Sequence, residues 1–286
     1  MTDFFQQVIK KNFADSQVIS SSPISGGCIN NTVKIVTDNG QFFLKWNKAE
    51  YESMFSNEKQ GLDLLLKKSP LFTPTAIDFG VLNDRAYLLT EWIETGVQSN
   101  RFWESFAENL ANQHKSVDVL FGLNHNNYIG SLPQSNKQHH KWSRFFIEER
   151  IVPQLKLAES KKLINKEYRH KFDKLFRELD SIIPNEHPSL LHGDLWSGNF
   201  MCGKDGDAVI FDPAIYYGHR ETELAFTHLF GGFSQVFYEA YQAISPMESG
   251  FENRFDIHNL YPLLVHVNLF GTSYLSGVSQ TLQRFT

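Results

Sequence analysis

The chain has 286 residues, 27 Lys and Arg against 32 Asp and Glu, a formal net charge of −5, and 41% apolar side chains. That length favours two lobes or one large mixed domain over a small module, and the composition is that of an ordinary globule rather than a disordered tail. The acidic balance offers no field for nucleic acid or an anionic membrane, no run reaches the ~18 apolar residues of a span, and the start MTDFFQQVIKKNFADS lacks a signal-peptide pattern, so a cytoplasmic protein with neither nucleic acid nor membrane as partner is expected.

Residues 3–13 put Phe4, Phe5, Val8, Ile9 and Phe13 at helical spacing, which predicts a short amphipathic helix. TVKIVTDNGQFFLKWN alternates apolar and polar residues around Asn39-Gly40, a dipeptide suited to the two positive-φ positions of a type I′ hairpin turn. Residues 50–68 return to helical period, with Met54, Phe55, Leu62, Leu65 and Leu66 on one side. Glu58 falls on that same side, and an acid on an apolar face needs a partner. Two strand-like runs, TAIDFGVL and AYLLTEWI, follow, joined at Asn83-Asp84. From residue 100 the pattern is mainly helical: 101–116, 142–159 with a kink at Pro153, 166–183, and several segments from 221 onward. The composition changes near IETGVQSN, 93–100, so the chain is expected to be an α+β protein with a β-rich N-lobe over 1–95 and a mainly helical C-lobe over 96–286.

The chemistry concentrates in LLHGDLWSGNF, 190–200, and NFMCGKDGDAVIFDP, 199–213. Two short apolar runs flank a Gly- and Asp-rich turn, which predicts a small antiparallel hairpin that makes Asn199 and Asp212 neighbours, with Asp194 facing the same space. Two carboxylates and an amide oxygen without a His or Cys cluster are hard ligands suited to Mg²⁺ rather than zinc. HxDxxxxN followed by an Asp after a hairpin is the arrangement of phosphoryl transfer, in which Asp194 accepts the proton of an acceptor hydroxyl while Asn199 and Asp212 hold Mg²⁺ against ATP phosphates. Lys45, near the end of a predicted strand, is suited to hold those phosphates, and Glu58 is its natural counter-ion. SGGCINN, 25–31, could close over the phosphates with the amides of Gly26 and Gly27, and the Glu91, Trp92 and Ile93 backbone leads into the linker where adenine would bind. Trp196 could pack in the core or stack on a substrate, and His192 reads as a loop-holding residue. The two cysteines lack zinc-like spacing. Cys28 is either an apolar filler or an oxidisable thiol able to link two copies as a homodimer.

Beyond these residues, SGGCINNTVKIVTDNGQFFLK, NYIGSLPQSN, WSRFFIEER, LLHGDLWSGN, IFDPAIYYGHRETELAFTHLFGGF and LYPLLVHVNLFG, in that order, resemble segments of the fructosamine kinase (ketosamine-3-kinase) family, a branch of the protein-kinase-like fold that includes aminoglycoside phosphotransferases. The resemblance implies an ATP- and Mg²⁺-dependent kinase acting on the 3-hydroxyl of free or protein-borne ketosamines such as ribulosamine, erythrulosamine or fructosamine, hence deglycation repair. It supports the same roles for Asp194, Asn199, Asp212, Lys45, Glu58 and the 91–93 hinge, and it suggests Trp196, His219, Arg220 and Gln134 on the substrate side. Glu223 stands where much of the family is expected to carry Asp. Two other readings use the same residues: a kinase for another amino-alcohol or aminoglycoside, and a nucleotide-binding regulatory protein without catalysis.

Overall fold

A computed structural model describes residues 2–25 and 29–285. Gly26, Gly27 and Cys28, expected to form the phosphate loop and its oxidisable thiol, lie outside the described residues. The N-terminal region is a five-stranded antiparallel sheet in the order β1-β2-β3-β5-β4, with β1 at Val18–Pro23, β2 at Asn31–Thr37, β3 at Gly40–Lys48, β4 at Ala76–Leu82 and β5 at Arg85–Glu91. Strand period decides its two faces. Along β5, Tyr87 and Leu89 meet Phe4, Phe5, Val8 and Ile9 of helix α1 (Thr2–Asn12), while Ala86 and Leu88 meet Met54, Phe55 and Leu62 of helix α2 (Glu52–Lys68). β1 escapes sequence patterning because it is an edge strand whose side chains are mostly exposed.

One turn differs from expectation. Thr37 pairs with Gly40, so the β2–β3 reversal sits on Asp38-Asn39 rather than Asn39-Gly40, and the Thr37 hydroxyl closes it by donating to the Gly40 carbonyl at 3.0 Å and accepting from the Asn39 amide at 3.1 Å. The two consecutive positive φ angles of a type I′ turn occur instead at Asn83 (48°) and Asp84 (59°), between β4 and β5.

The C-terminal part is mainly helical. Helix α3 (Phe102–His114) and a small hairpin of β6 (Asn127–Ile129) and β7 (Leu132–Gln134) precede α4 (Trp142–Phe145), which continues through a π-helical stretch, Phe146–Ile151, into α5 (Val152–Ser160). The kink expected at Pro153 is absorbed by this wider stretch. Pro153 has no amide for the carbonyl of Glu149, and the Arg150 guanidinium donates to that carbonyl instead, at 3.2 Å. Helix α6 (Lys166–Ile182), strands β8 (Ser189–Leu191), β9 (Phe200–Cys202), β10 (Ala208–Ile210) and β11 (Tyr216–Gly218), and helices α7 (Arg220–Leu229), α8 (Gln235–Ile244), α9 (Phe251–His258), α10 (Leu260–Phe270) and α11 (Leu275–Phe285) complete the chain. Alternation along β8 sends Leu190 into a core with Phe102, Phe106 and Phe237, and Leu191 into another with Phe145, Phe172 and Leu264. The segment that leaves β8 is thereby clamped between two cores. No helix among the described residues is long and apolar enough to cross a membrane.

Candidate active site

The loop 192–199 leaves β8, which pairs antiparallel with β11. Its first turn is gripped by Glu223 of α7, whose carboxylate accepts from the amides of His192 at 3.1 Å and Gly193 at 2.8 Å and meets His114 Nε2 at 3.0 Å. Burial opposes the charge on Glu223, yet His114 and the loop amides outweigh it and hold the carboxyl below its usual range. Gly193 is required as such: φ is 81°, and a Cβ would stand 2.1 Å from the Ala214 carbonyl oxygen. His192 Nε2 donates to the Phe211 carbonyl at 2.9 Å and its Nδ1 accepts from the Asp194 amide at 3.3 Å, so both ring nitrogens tie loop to loop. Burial pushes its pKa down.

Asn199 Nδ2 donates to the Asp194 carbonyl at 2.8 Å and to Asp194 Oδ2 at 2.9 Å, fixing the carboxylate across the loop. The predicted hairpin is present as β9 and β10, with Ile210 opposite Phe200 and the Phe211 amide bonded to the Asn199 carbonyl at 3.1 Å. Asp212 follows with φ 58°, and its carboxylate accepts from Lys45 Nζ, which also donates to Glu58 Oε1 at 2.6 Å. Burial opposes the ammonium of Lys45, but the carboxylates of Asp212 and Glu58 more than compensate and hold its pKa above the ordinary value. Glu58 is pushed up by burial and by Asp212, against the pull of Lys45. Burial first, then Asp212, also raises Asp194 well above the ordinary carboxyl range, opposed by the Asn199 amide.

Lys45, Glu58, Asp194, Trp196, Asn199 and Asp212 all border one cleft of about 650 Å³. The donor set suits a hard divalent ion. With the Asn199 amide nitrogen committed to Asp194, its Oδ1 has no partner among the described residues, and Asp212 keeps Oδ2 beyond the oxygen held by Lys45.

Other expected residues fall elsewhere. The Glu91 amide donates to the Thr75 carbonyl at 3.0 Å and the Trp92 amide to the Gln41 carbonyl at 3.3 Å, so of the three hinge amides only that of Ile93 has no partner among the described residues. Trp196 does face the cleft, 37% exposed and edge-on to Phe230 at 6.0 Å. His219 does not: it is fully buried as the N-cap of α7, with Nε2 donating to the Pro184 carbonyl at 3.1 Å and Nδ1 accepting from the Glu221 amide at 3.3 Å. Arg220 grips Glu186 through two bonds of 2.9 Å and reaches the carbonyls of Ser245 and Pro246. Gln134 is buried behind the Asp212 loop, donating to Asn127 Oδ1 at 2.7 Å and the Ala214 carbonyl at 3.2 Å and accepting from Tyr261 at 2.7 Å. The substrate-side assignment is therefore corrected for these three, whose polar atoms are spent inside the protein. Conversely, Asn127, Phe230 and His266 border the cleft; each lies within a segment that carries the family resemblance, but none was expected as a site residue. A lone His in the apolar run LYPLLVHVNLF was the one available signal for His266.

Known proteins resemble the chain along nearly its whole length. Among curated relatives, an Enterococcus faecium protein named ketoamine kinase is 40% identical over 266 residues, covering 92% of this chain and 94% of its own. The chloroplastic protein-ribulosamine 3-kinase of Arabidopsis thaliana is 34% identical over 275 residues, 94% of this chain and 83% of its own. A crystal structure named for a fructosamine-3-kinase of Haemophilus somnus 129PT superposes with a TM-score of 0.88 at 29% identity, covering 98% and 96% of the two chains. An aminoglycoside phosphotransferase solved with AMP-PNP and hygromycin B shares the fold alone, with a TM-score of 0.65 at 13% identity and coverage of 98% and 97%. With the fructosamine kinase family matched across residues 1–286, the chain belongs to that family and is a kinase.

Proposed function

We propose that this kinase transfers the γ-phosphoryl group of ATP to the 3-hydroxyl of a ketosamine, across a cleft between an N-lobe of residues 1–95 and a C-lobe of residues 96–286. The observation that carries the reading is the convergence of Asp194, Asn199, Asp212 and Lys45 on one cleft. Asp194 accepts the hydroxyl proton at its carboxylate, and the Asn199 amide keeps that carboxylate aimed. Lys45, charged and anchored by Glu58, holds phosphate oxygens. Asn199 Oδ1 and Asp212 would hold Mg²⁺, which when bound neutralises charge on the transferring phosphate. Positioning and charge complementarity supply most of the rate enhancement.

The names of the relatives, ketoamine kinase and protein-ribulosamine 3-kinase, support a ketosamine acceptor, free or borne on protein lysines. A 3-phosphorylated ketosamine eliminates phosphate and releases its amine, so the activity amounts to deglycation repair in the cytoplasm. The test is ATP consumption with Mg²⁺ across ribulose-, erythrulose- and fructose-lysine, an aminoglycoside and choline. Selective turnover of one or more ketosamines is expected and identifies the sugar. Turnover of choline or the aminoglycoside alone would sink the ketosamine assignment.

A further inference from the structure

His266 of α10 borders the cleft and also a recess of about 30 Å³ shared with Asp194. Its Nδ1 lies 2.7 Å from the Pro262 carbonyl oxygen, which can only accept, so Nδ1 carries the proton and Nε2 presents a lone pair. That Nε2 has no partner among the described residues and is not sealed from the cleft. Three aromatic rings surround the imidazole, with centroids 4.8 Å away for Phe230, 4.9 Å for Tyr274 and 5.5 Å for Phe270, and all three border the cleft. Burial holds the imidazole's pKa below its usual value, so it stays neutral and accepting at physiological pH.

Acidic groups outnumber basic ones around the cleft. Of the described side chains lining the cleft, Lys45 is the one formal cation, already held by Glu58 and Asp212, and a third carboxylate, Asp194, stands beside the recess. A neutral lone pair among aromatic rings suits a cation with N–H donors better than an anionic group. A ketosamine carries such a group: its secondary amine is protonated near neutral pH and is separated from the 3-hydroxyl by three carbons. A residue that binds the nitrogen must therefore stand near the base that binds the hydroxyl, as His266 and Asp194 do around the shared recess.

We propose that His266 Nε2 accepts a hydrogen bond from the secondary ammonium of the substrate, with Phe230, Phe270 and Tyr274 as the aromatic wall that favours the positive charge. This subsite rests on the ketosamine reading and adds to it the feature that separates an amine adduct from other ketoses. Calorimetry with two ligands tests it independently of turnover: fructose joined at C1 to a butyl chain through nitrogen, and the same compound joined through oxygen.

The native protein is expected to bind the amine compound about tenfold or more tightly than the ether. His266→Phe, which keeps an aromatic ring but removes the acceptor, should abolish that preference while leaving ether affinity within about twofold, and His266→Gln, which restores an acceptor, should recover part of it. Equal affinity of the native protein for both compounds, or equal weakening of both by His266→Phe, overturns the subsite. An amine preference in a protein that phosphorylates none of ribulose-, erythrulose- and fructose-lysine supports the subsite and overturns the ketosamine-kinase reading, so the two failures are distinguishable.

Discussion

Asp212 reaches Lys45 because the backbone reverses under it. The Phe211 amide is held by the Asn199 carbonyl and the Ala214 amide by the His192 carbonyl at 2.9 Å, so the residues between them must turn sharply, and Asp212 does so at φ 58°. Short polar side chains such as Asp tolerate that region better than most. Asp194 by contrast depends on its neighbour, the Asn199 amide. Asp194→Asn keeps the size and the loop but cannot take the proton, so kcat should fall by about 10²–10⁴-fold while the dissociation constant for ATP stays within about twofold. Single-turnover kinetics with nucleotide titration checks this, and near-native turnover would remove Asp194 from the role of base. Glu223 acts one step further back. Glu223→Ala leaves the His192 and Gly193 amides and His114 Nε2 without their acceptor, at about 1–3 kcal/mol for each buried group, so the urea midpoint should drop markedly. Glu223→Asp, with its charge kept and its arm shortened, should fall between the two.

At the level of elements, what was legible followed periodicity and motif spacing. Helices α1, α2 and α6, the central strands and the β9–β10 hairpin each bury one face or join runs of clear period, and each was readable. β1 was not, because an exposed edge has no burial alternation. The reversal after β2 slipped by one residue because Thr37 supplies a side-chain closure that competes with the usual Asn-Gly preference. Within the site, Lys45, Asp194, Asn199 and Asp212 were legible because their spacing is local to a loop, a hairpin or a strand end. His219, Arg220 and Gln134 were misassigned because a polar residue near a motif looks the same whether it faces substrate or backbone. Gln134 shows the difference. With Asn127, which donates to the Ile215 carbonyl at 2.8 Å, it ties the β6–β7 hairpin to the segment just after Asp212. Gln134→Leu should therefore lower stability by about 1–3 kcal/mol and reduce kcat through a displaced Asp212, with KM for the acceptor little changed. A rise in acceptor KM at constant kcat would return Gln134 to the substrate side.

Across the whole molecule, the two halves of the cleft meet through polar contacts as well as through Lys45 and Asp212. Ser53 of α2 bonds Tyr128 of β6 at 2.8 Å, Lys68 bonds Tyr217 of β11 at 2.7 Å, and the Ile210 amide bonds the Phe72 carbonyl at 2.9 Å. The larger electrostatic liability lies in the helical part, where His219 packs on His258 and Trp142, Glu186 approaches its Nε2 to 4.0 Å, and Glu221 forms an ion pair with Arg254. Burial, reinforced by His258, pushes the His219 pKa down to about 4 from its usual 6.5. Between those values the unfolded chain binds a proton that the folded chain refuses, so stability falls as pH drops through this window, by up to roughly 3 kcal/mol, and the loss levels off below it. Glu221 extends the decline. Burial opposes its charge, but bonds from Arg254 and His258 prevail and hold the pKa down to about 2, so its contribution is present above the ordinary value of 4.5 and is lost as pH falls toward 2. Urea unfolding at a series of pH values should show stability falling continuously from about pH 6.5 downward. His219→Asn supplies a preferred N-cap for α7 and has no proton to gain, so it should flatten the upper part of that decline while leaving stability near pH 7.5 within about 1 kcal/mol. An unchanged slope in this variant would place the acid sensitivity of the fold elsewhere among its buried histidines.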